Sequence, residues 1–145
     1  ASFSASRCRA AMRAPDSSRL RARARISSTA AMGSSSGGGP DAWLGRDPAY
    51  LPALRGLEPG AEVVVVTWLH LARRDVLEVH PRGDPERPLK GVFATRSPSR
   101  PNPLGLHRVT VQEVSGSRLR VGPIEAVDGT PVVDIKSVLK GGAEG

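Results

Sequence analysis

Two short segments of this chain combine polar groups with a backbone stiff enough to present them. The first is Arg96-Ser97-Pro98-Ser99-Arg100-Pro101-Asn102-Pro103-Leu104-Gly105. Three prolines fix φ and remove backbone donors, so the stretch reads as a rigid loop and not as a strand or helix. Two arginines on a stiff loop lose little entropy when they meet a ligand, which is how a small-molecule site is preorganised. A surface turn with two solvated arginines fits the same residues. The second segment is Glu125-Ala126-Val127-Asp128-Gly129-Thr130-Pro131-Val132-Val133-Asp134-Ile135-Lys136. Asp128-Gly129 is a strong turn dipeptide, and its backbone groups either close the turn or reach a ligand that glycine allows to approach.

His70 follows an apolar run and reads as a core or rim histidine, with a ligand contact at the strand end as the other reading. Trp68 reads as core, and Asp134 with Lys136 as a surface pair of little energetic value. His70, His80 and His107 lack metal-ligand spacing, and the single Cys8 excludes an internal disulfide and a cysteine-built metal site. No metal is expected. The chain has no G-x-G-x-x-G, phosphate loop or H-E-x-x-H.

The elements that must position these segments are short. Asp47 caps a brief helix beginning at Pro48 and stopping at Gly56. Val63-Val64-Val65-Val66-Thr67-Trp68-Leu69 is a β-branched run that predicts a strand buried on both faces. Further strands are expected at 75–80, at Gly91–Thr95, at Val109–Gln112, and at Pro131–Ile135. Ser115-Gly116-Ser117 predicts a hairpin turn into Arg118-Leu119-Arg120-Val121, whose alternation sends Leu119 and Val121 inward. The pattern is mainly β: a small antiparallel β-barrel or curled sheet with one short helix.

With 145 residues, one domain is expected. The formal charge of +7 misleads, because Arg7, Arg9, Arg13, Arg19, Arg21, Arg23 and Arg25 face one acid, Asp16, before residue 40. The remainder is nearly neutral, so only a local basic patch would serve a nucleic acid. Residues 1–40 are rich in Arg, Ser, Ala and Gly and read as disordered, as a transit peptide, as a basic RNA-binding arm, or as an out-of-frame start. Residues 41–139 form the folded domain, and 140–145 a flexible tail. No apolar run approaches a membrane span. A cytoplasmic location is expected, or an organelle if 1–40 is a transit peptide.

Gly91-Val92-Phe93-Ala94-Thr95-Arg96-Ser97-Pro98, then Arg100-Pro101-Asn102-Pro103-Leu104-Gly105-Leu106, and then Asp128-Gly129-Thr130-Pro131-Val132-Val133-Asp134-Ile135-Lys136 resemble the TsaA-like (TrmO) family, and Trp68-Leu69-His70 matches a further family segment. The resemblance spans roughly residues 41–139. It implies a β-barrel methyltransferase that uses S-adenosylmethionine, works as a homodimer, and methylates the exocyclic nitrogen of threonylcarbamoyl-adenosine in tRNA. By position it implies cofactor contacts from His70, Leu71, Arg96, Leu106, Ala126, Val127, Asp128 and Gly129, with Arg100 and Asn102 shaping the site or meeting RNA. It names no catalytic side chain. Family members begin with a strand carrying a Pro-Ile-Gly-like start and then a Pro-Arg-Gln-type cofactor segment, and neither motif stands before Pro40. An unpaired sheet edge and an incomplete pocket are therefore expected. The alternative is a non-catalytic or truncated family member acting as a ligand- or RNA-binding module.

Overall fold

The computed structural model describes residues 24–28 and 39–139. Among these, eight strands run in chain order: β1 (Ala24–Ser28), β2 (Ala42–Arg46), β3 (Glu62–Trp68), β4 (Glu78–Val79), β5 (Lys90–Gly91), β6 (Leu104–Ser115), β7 (Arg118–Gly122) and β8 (Pro131–Ser137). Six of them close an antiparallel barrel in the order β1-β2-β7-β6-β3-β8, and β4 with β5 forms a separate two-stranded ribbon. The expected mainly-β fold is the one observed.

Alternation builds the barrel core. Val63, Val65 and Thr67 are fully buried while Val64 and Val66 are only half-buried, so β3 has one inner and one outer face. The expectation of burial on both faces is corrected for a physical reason: each barrel strand has an interior and an exterior, and no second layer among the described residues covers the outside of β3. Val109 and Val111 of β6, Leu119 and Val121 of β7, Leu44 of β2 and Val132 of β8 complete the interior. Leu119 and Val121 face inward as their alternation requires. β6 and β7 meet through Gly116 and Ser117, as the hairpin signal predicts.

β1 corrects the expectation for residues 1–40. Ala24–Ser28 pairs with β2 along its whole length and with β8 at Ala24 and Arg25, so the edge expected to lie open is closed. Ile26, only 1% exposed, supplies the apolar burial that offsets the cost of ordering this polar-looking strand. The other residues of 1–40, apart from Gly39 and Pro40, lie outside the described residues, as does the 140–145 tail. β2, Ala42–Arg46, was not legible either, because Gly45 and Arg46 end an apolar run of only three residues, Ala42-Trp43-Leu44.

Local corrections follow the same logic. The short helix is a 3-10 helix, Pro48–Leu54, with Asp47 accepting from the Ala49 amide at 3.0 Å. The strand expected at 75–80 shrinks to β4, and Gly91–Thr95 is mostly a 3-10 turn, Val92–Ala94. The strand expected at Val109–Gln112 is the middle of a twelve-residue β6 that begins at Leu104. The proline loop therefore ends at Pro103, and Leu104 and Gly105 belong to the sheet. Among the described residues, no helix is long and apolar enough to cross a membrane.

Candidate functional site

The site lies where β3 and β6 leave the barrel. Leu69 continues β3 and donates its amide to the Pro103 carbonyl at 2.8 Å, joining the strand end to the proline loop. Arg74 braces the same loop: its guanidinium lies 5.3 Å from the Trp68 ring centroid, and its Nε donates to the Pro101 carbonyl at 3.4 Å. Trp68 is buried, as expected.

Arg100 is the internal fastener of the loop. Its Nε donates to the Ser97 carbonyl at 2.9 Å, and Nη2 donates to the carbonyls of Val92, at 2.8 Å, and Thr95. A charged planar donor satisfies several carbonyls that prolines leave outside any ladder. Arg100 thus serves loop shape. Arg96 is exposed and makes no ion pair among the described residues. Asn102 is also exposed, and its backbone carbonyl accepts from the Leu104 amide at 2.8 Å.

The turn at Asp128-Gly129 is fixed by β1. Gly129 has φ +78, which a glycine adopts without strain. Its amide donates to the Ile26 carbonyl at 2.8 Å, its carbonyl accepts from Arg25 Nη1 at 3.1 Å, and the Thr130 carbonyl accepts from the Ile26 amide at 3.0 Å. Thr130, almost fully buried, turns its hydroxyl to the Val127 carbonyl.

Two concavities meet between these elements. One, of about 560 Å³, is lined by Leu69, His70, Leu71, Ala72, Pro98, Ser99, Ile124, Glu125, Ala126, Val127, Thr130 and Pro40. The other, a groove of about 900 Å³, is lined by Phe93–Pro98, Arg100, Leu104–His107, Leu69 and Glu125. Leu69, Pro98 and Glu125 line both, so the two form one cleft with a shared wall.

Of the residues singled out from sequence, His70, Leu71, Ala126 and Val127 line the cavity, and Arg96, Arg100 and Leu106 line the groove. Asp128 and Gly129 stand behind the cavity in its turn, and Asn102 lines neither space. His70 is exposed at the cavity, so of the readings core, rim and strand-end ligand contact the core one falls away: β3 ends at Trp68, and the residue two positions on has left the barrel. Among the described residues, no group of three or more His, Cys, Asp or Glu side chains gathers as metal ligands would.

Sequence reasoning missed two groups. Thr67 Oγ1 and His107 Nε2 lie 2.9 Å apart at the base of the groove. They sit forty residues apart in the chain, and only the register Thr67↔Gly105 and Val65↔His107 brings them together. Burial lowers the His107 pKa from its ordinary value, and the charge of Glu125 opposes that shift. The third concavity, about 870 Å³, is lined by Arg73, His80, Arg82, Lys90 and Arg96 with no acidic residue, and shares Ala94–Pro98 with the groove.

A probable S-adenosyl-L-methionine-binding protein of Methanothermobacter thermautotrophicus is 53% identical over 89 residues, covering 61% of this chain and 63% of that protein. A second, from Methanocaldococcus jannaschii, is 43% identical over 91 residues, covering 60% and 72%. The crystal structure of TrmO from P. aeruginosa superposes with a TM-score of 0.59 at 28% identity, covering 81% of this chain and 52% of that one. The chain thus spans about half the length of that TrmO and under two thirds of the first relative. Residues 36–141 match the tRNA-methyltransferase O N-terminal domain, and the chain belongs to that family.

Proposed function

We propose that this chain is an S-adenosylmethionine-dependent methyltransferase whose acceptor is an RNA adenine, of which the exocyclic nitrogen of threonylcarbamoyl-adenosine in tRNA is the leading case. The observation that carries the reading is the double cleft: an apolar cavity of small-molecule size sharing a wall with an open groove. A methyl donor and a bulky acceptor need such adjacent spaces.

The residues present fit the cofactor. Leu69, Leu71, Ile124, Ala126 and Val127 supply the apolar walls an adenine ring needs, and His70, Ser99, Glu125 and Thr130 supply polar groups. Asp128 and Gly129 hold the turn behind Ala126 and Val127. Arg96 and Leu106 border the groove side. No Pro-Arg-Gln-type motif stands before Pro40, and Pro40 itself lines the cavity. When bound, the cofactor supplies an electrophilic methyl group. The chain's own contribution is to hold donor and acceptor in line on a braced loop, which accounts for much of such a reaction's acceleration.

The RNA acceptor is supported by the cation-lined groove, which runs into the cleft through the shared segment Ala94–Pro98. Arg82, Lys90 and Arg96 make no ion pair among the described residues. A polyanion would exchange its counterions for them. Homodimerisation is supported by Phe93, Leu104 and Leu106, which are 66%, 46% and 61% exposed beside the groove.

Calorimetry with S-adenosylmethionine tests the reading. Saturable heat below millimolar cofactor is expected, and none from folded protein would overturn it.

A further inference from the structure

The base of the acceptor groove contains a polar pair that binding alone does not require. Gly105 and His107 alternate onto the inner face of β6, and Gly105 stands opposite Thr67. A Cβ at Gly105 would crowd Thr67 Oγ1 and lie 2.7 Å from His107 Nε2. The missing side chain is therefore what lets the hydroxyl and the imidazole meet. Thr67 is fully buried, so the ring is anchored to a group that cannot drift. With Nε2 engaged, Nδ1 has no protein partner among the described residues, and His107 lines the groove.

The chemistry of the reaction gives such a nitrogen a task. An exocyclic adenine nitrogen has its lone pair delocalised into the ring, and an attached carbonyl withdraws it further. Methylation without loss of its proton would create a strongly acidic cation, so a positioned acceptor for that proton lowers the barrier.

We propose that His107, held by Thr67, is the catalytic base that receives the proton of the acceptor nitrogen during methyl transfer. The proposal rests on the methyltransferase reading above. The acceptor nitrogen forms its bond to the methyl carbon while the carbon–sulfur bond breaks, its electron pair remaining on sulfur as a neutral thioether. The N–H proton passes to His107 Nδ1, and the proton on Nε2 stays donated to Thr67 Oγ1. The imidazolium then returns its proton to water through the open groove. The charged groups around the ring are Glu125, before β8, and Arg96 and Arg100 of the proline loop, Arg100 being held by loop carbonyls. Burial keeps the free ring neutral near pH 7, as a base must be.

The test uses the full chain and three measurements: calorimetry with S-adenosylmethionine, single-turnover methyl transfer to an anticodon-stem RNA carrying threonylcarbamoyl-adenosine, and proton NMR titration of the histidine rings. His107→Gln keeps a polar group near Thr67 but cannot take a proton. Its cofactor affinity should stay within about threefold of wild type while transfer falls by roughly 10²–10⁴-fold. The wild-type rate should fall on acidification with the midpoint of the His107 ring, and the variant should lack that limb. Thr67→Val should move the ring midpoint and the rate midpoint together. Wild-type transfer by His107→Gln, or a loss that only follows cofactor affinity, overturns the base. Independent movement of the two midpoints in Thr67→Val also overturns it. A wild-type chain that binds no cofactor, or binds it and methylates no such RNA, overturns the methyltransferase reading and the base with it.

Discussion

Gly105 and His107 show how much of a site can depend on an atom that is not there. Gly105→Ala would press a methyl group against the fully buried Thr67, whose strand is locked between β6 and β8, so the clash has no free exit. Urea unfolding should find the variant destabilised by about 1–3 kcal/mol, the usual cost of overpacking. His107 also makes stability depend on pH. Its folded pKa lies below the ordinary 6.5, so the unfolded chain takes up the proton first. The stability tied to the neutral ring is present above about pH 6.5 and is lost as pH falls through the folded value. Urea titrations at stepped pH should show that decline in wild type and a weaker one in His107→Gln. Neither His107 nor its partner Thr67 stood out in the sequence. His107 lacked metal-like spacing, and its partner Thr67 looked like one more β-branched residue in a strand.

At the level of elements, the proposed cofactor site depends on the stiffness of the proline loop. Arg100 holds it through the carbonyls of Val92, Ser97 and Thr95, and Arg74 grips Pro101 from outside. Arg100→Met keeps the aliphatic length but removes the guanidinium donor from the Ser97 and Thr95 carbonyls, while the Val92 carbonyl keeps the Thr95 amide and hydroxyl. Because the hydrogen bonds of the Arg100 side chain go to carbonyls of Val92, Thr95 and Ser97, outside the barrel strands, global stability should change little. Cofactor affinity should drop roughly tenfold, about 1.4 kcal/mol, because the loop must then be ordered on binding; calorimetry checks both the heat and the dissociation constant. The composition of this loop announced that it was rigid. That its second arginine faces inward, whereas Arg96 stays exposed, depends on where Val92–Ala94 turns back toward it, and that turn had read as a strand.

For the whole molecule, the decisive element is β1. Ile26 anchors it inside the barrel, and its backbone fixes the Asp128-Gly129 turn behind the cavity. Ile26→Ala should cost about 2–5 kcal/mol by thermal or urea unfolding. Deletion through Ser28 exposes the edges of β2 and β8, and size-exclusion chromatography should then show self-association. If the chain binds RNA as proposed, the same deletion would weaken that binding without Arg25 touching RNA, since Arg25 holds the Gly129 carbonyl. A cleaner test of the proposed RNA surface is the double variant Arg82→Glu, Lys90→Glu. Fluorescence anisotropy should show weaker binding of the anticodon-stem RNA, with the salt slope reduced by about 0.7 for each single-strand phosphate no longer neutralised.

The sequence by itself determined the barrel class, the rigid loop, the β6–β7 hairpin and the family, because turn dipeptides, alternation and proline act over a few neighbouring residues. Four of the residues it marked for the cofactor, His70, Leu71, Ala126 and Val127, line one cavity. Tertiary structure alone decided the rest. Ala24–Ser28 is a strand only because β2 and β8 offer it two ladders and a place for Ile26. Thr67 and His107 meet only through the register of β3 on β6. Pairing across long stretches of chain is set by the closure of the whole barrel, and no local pattern in either partner encodes it.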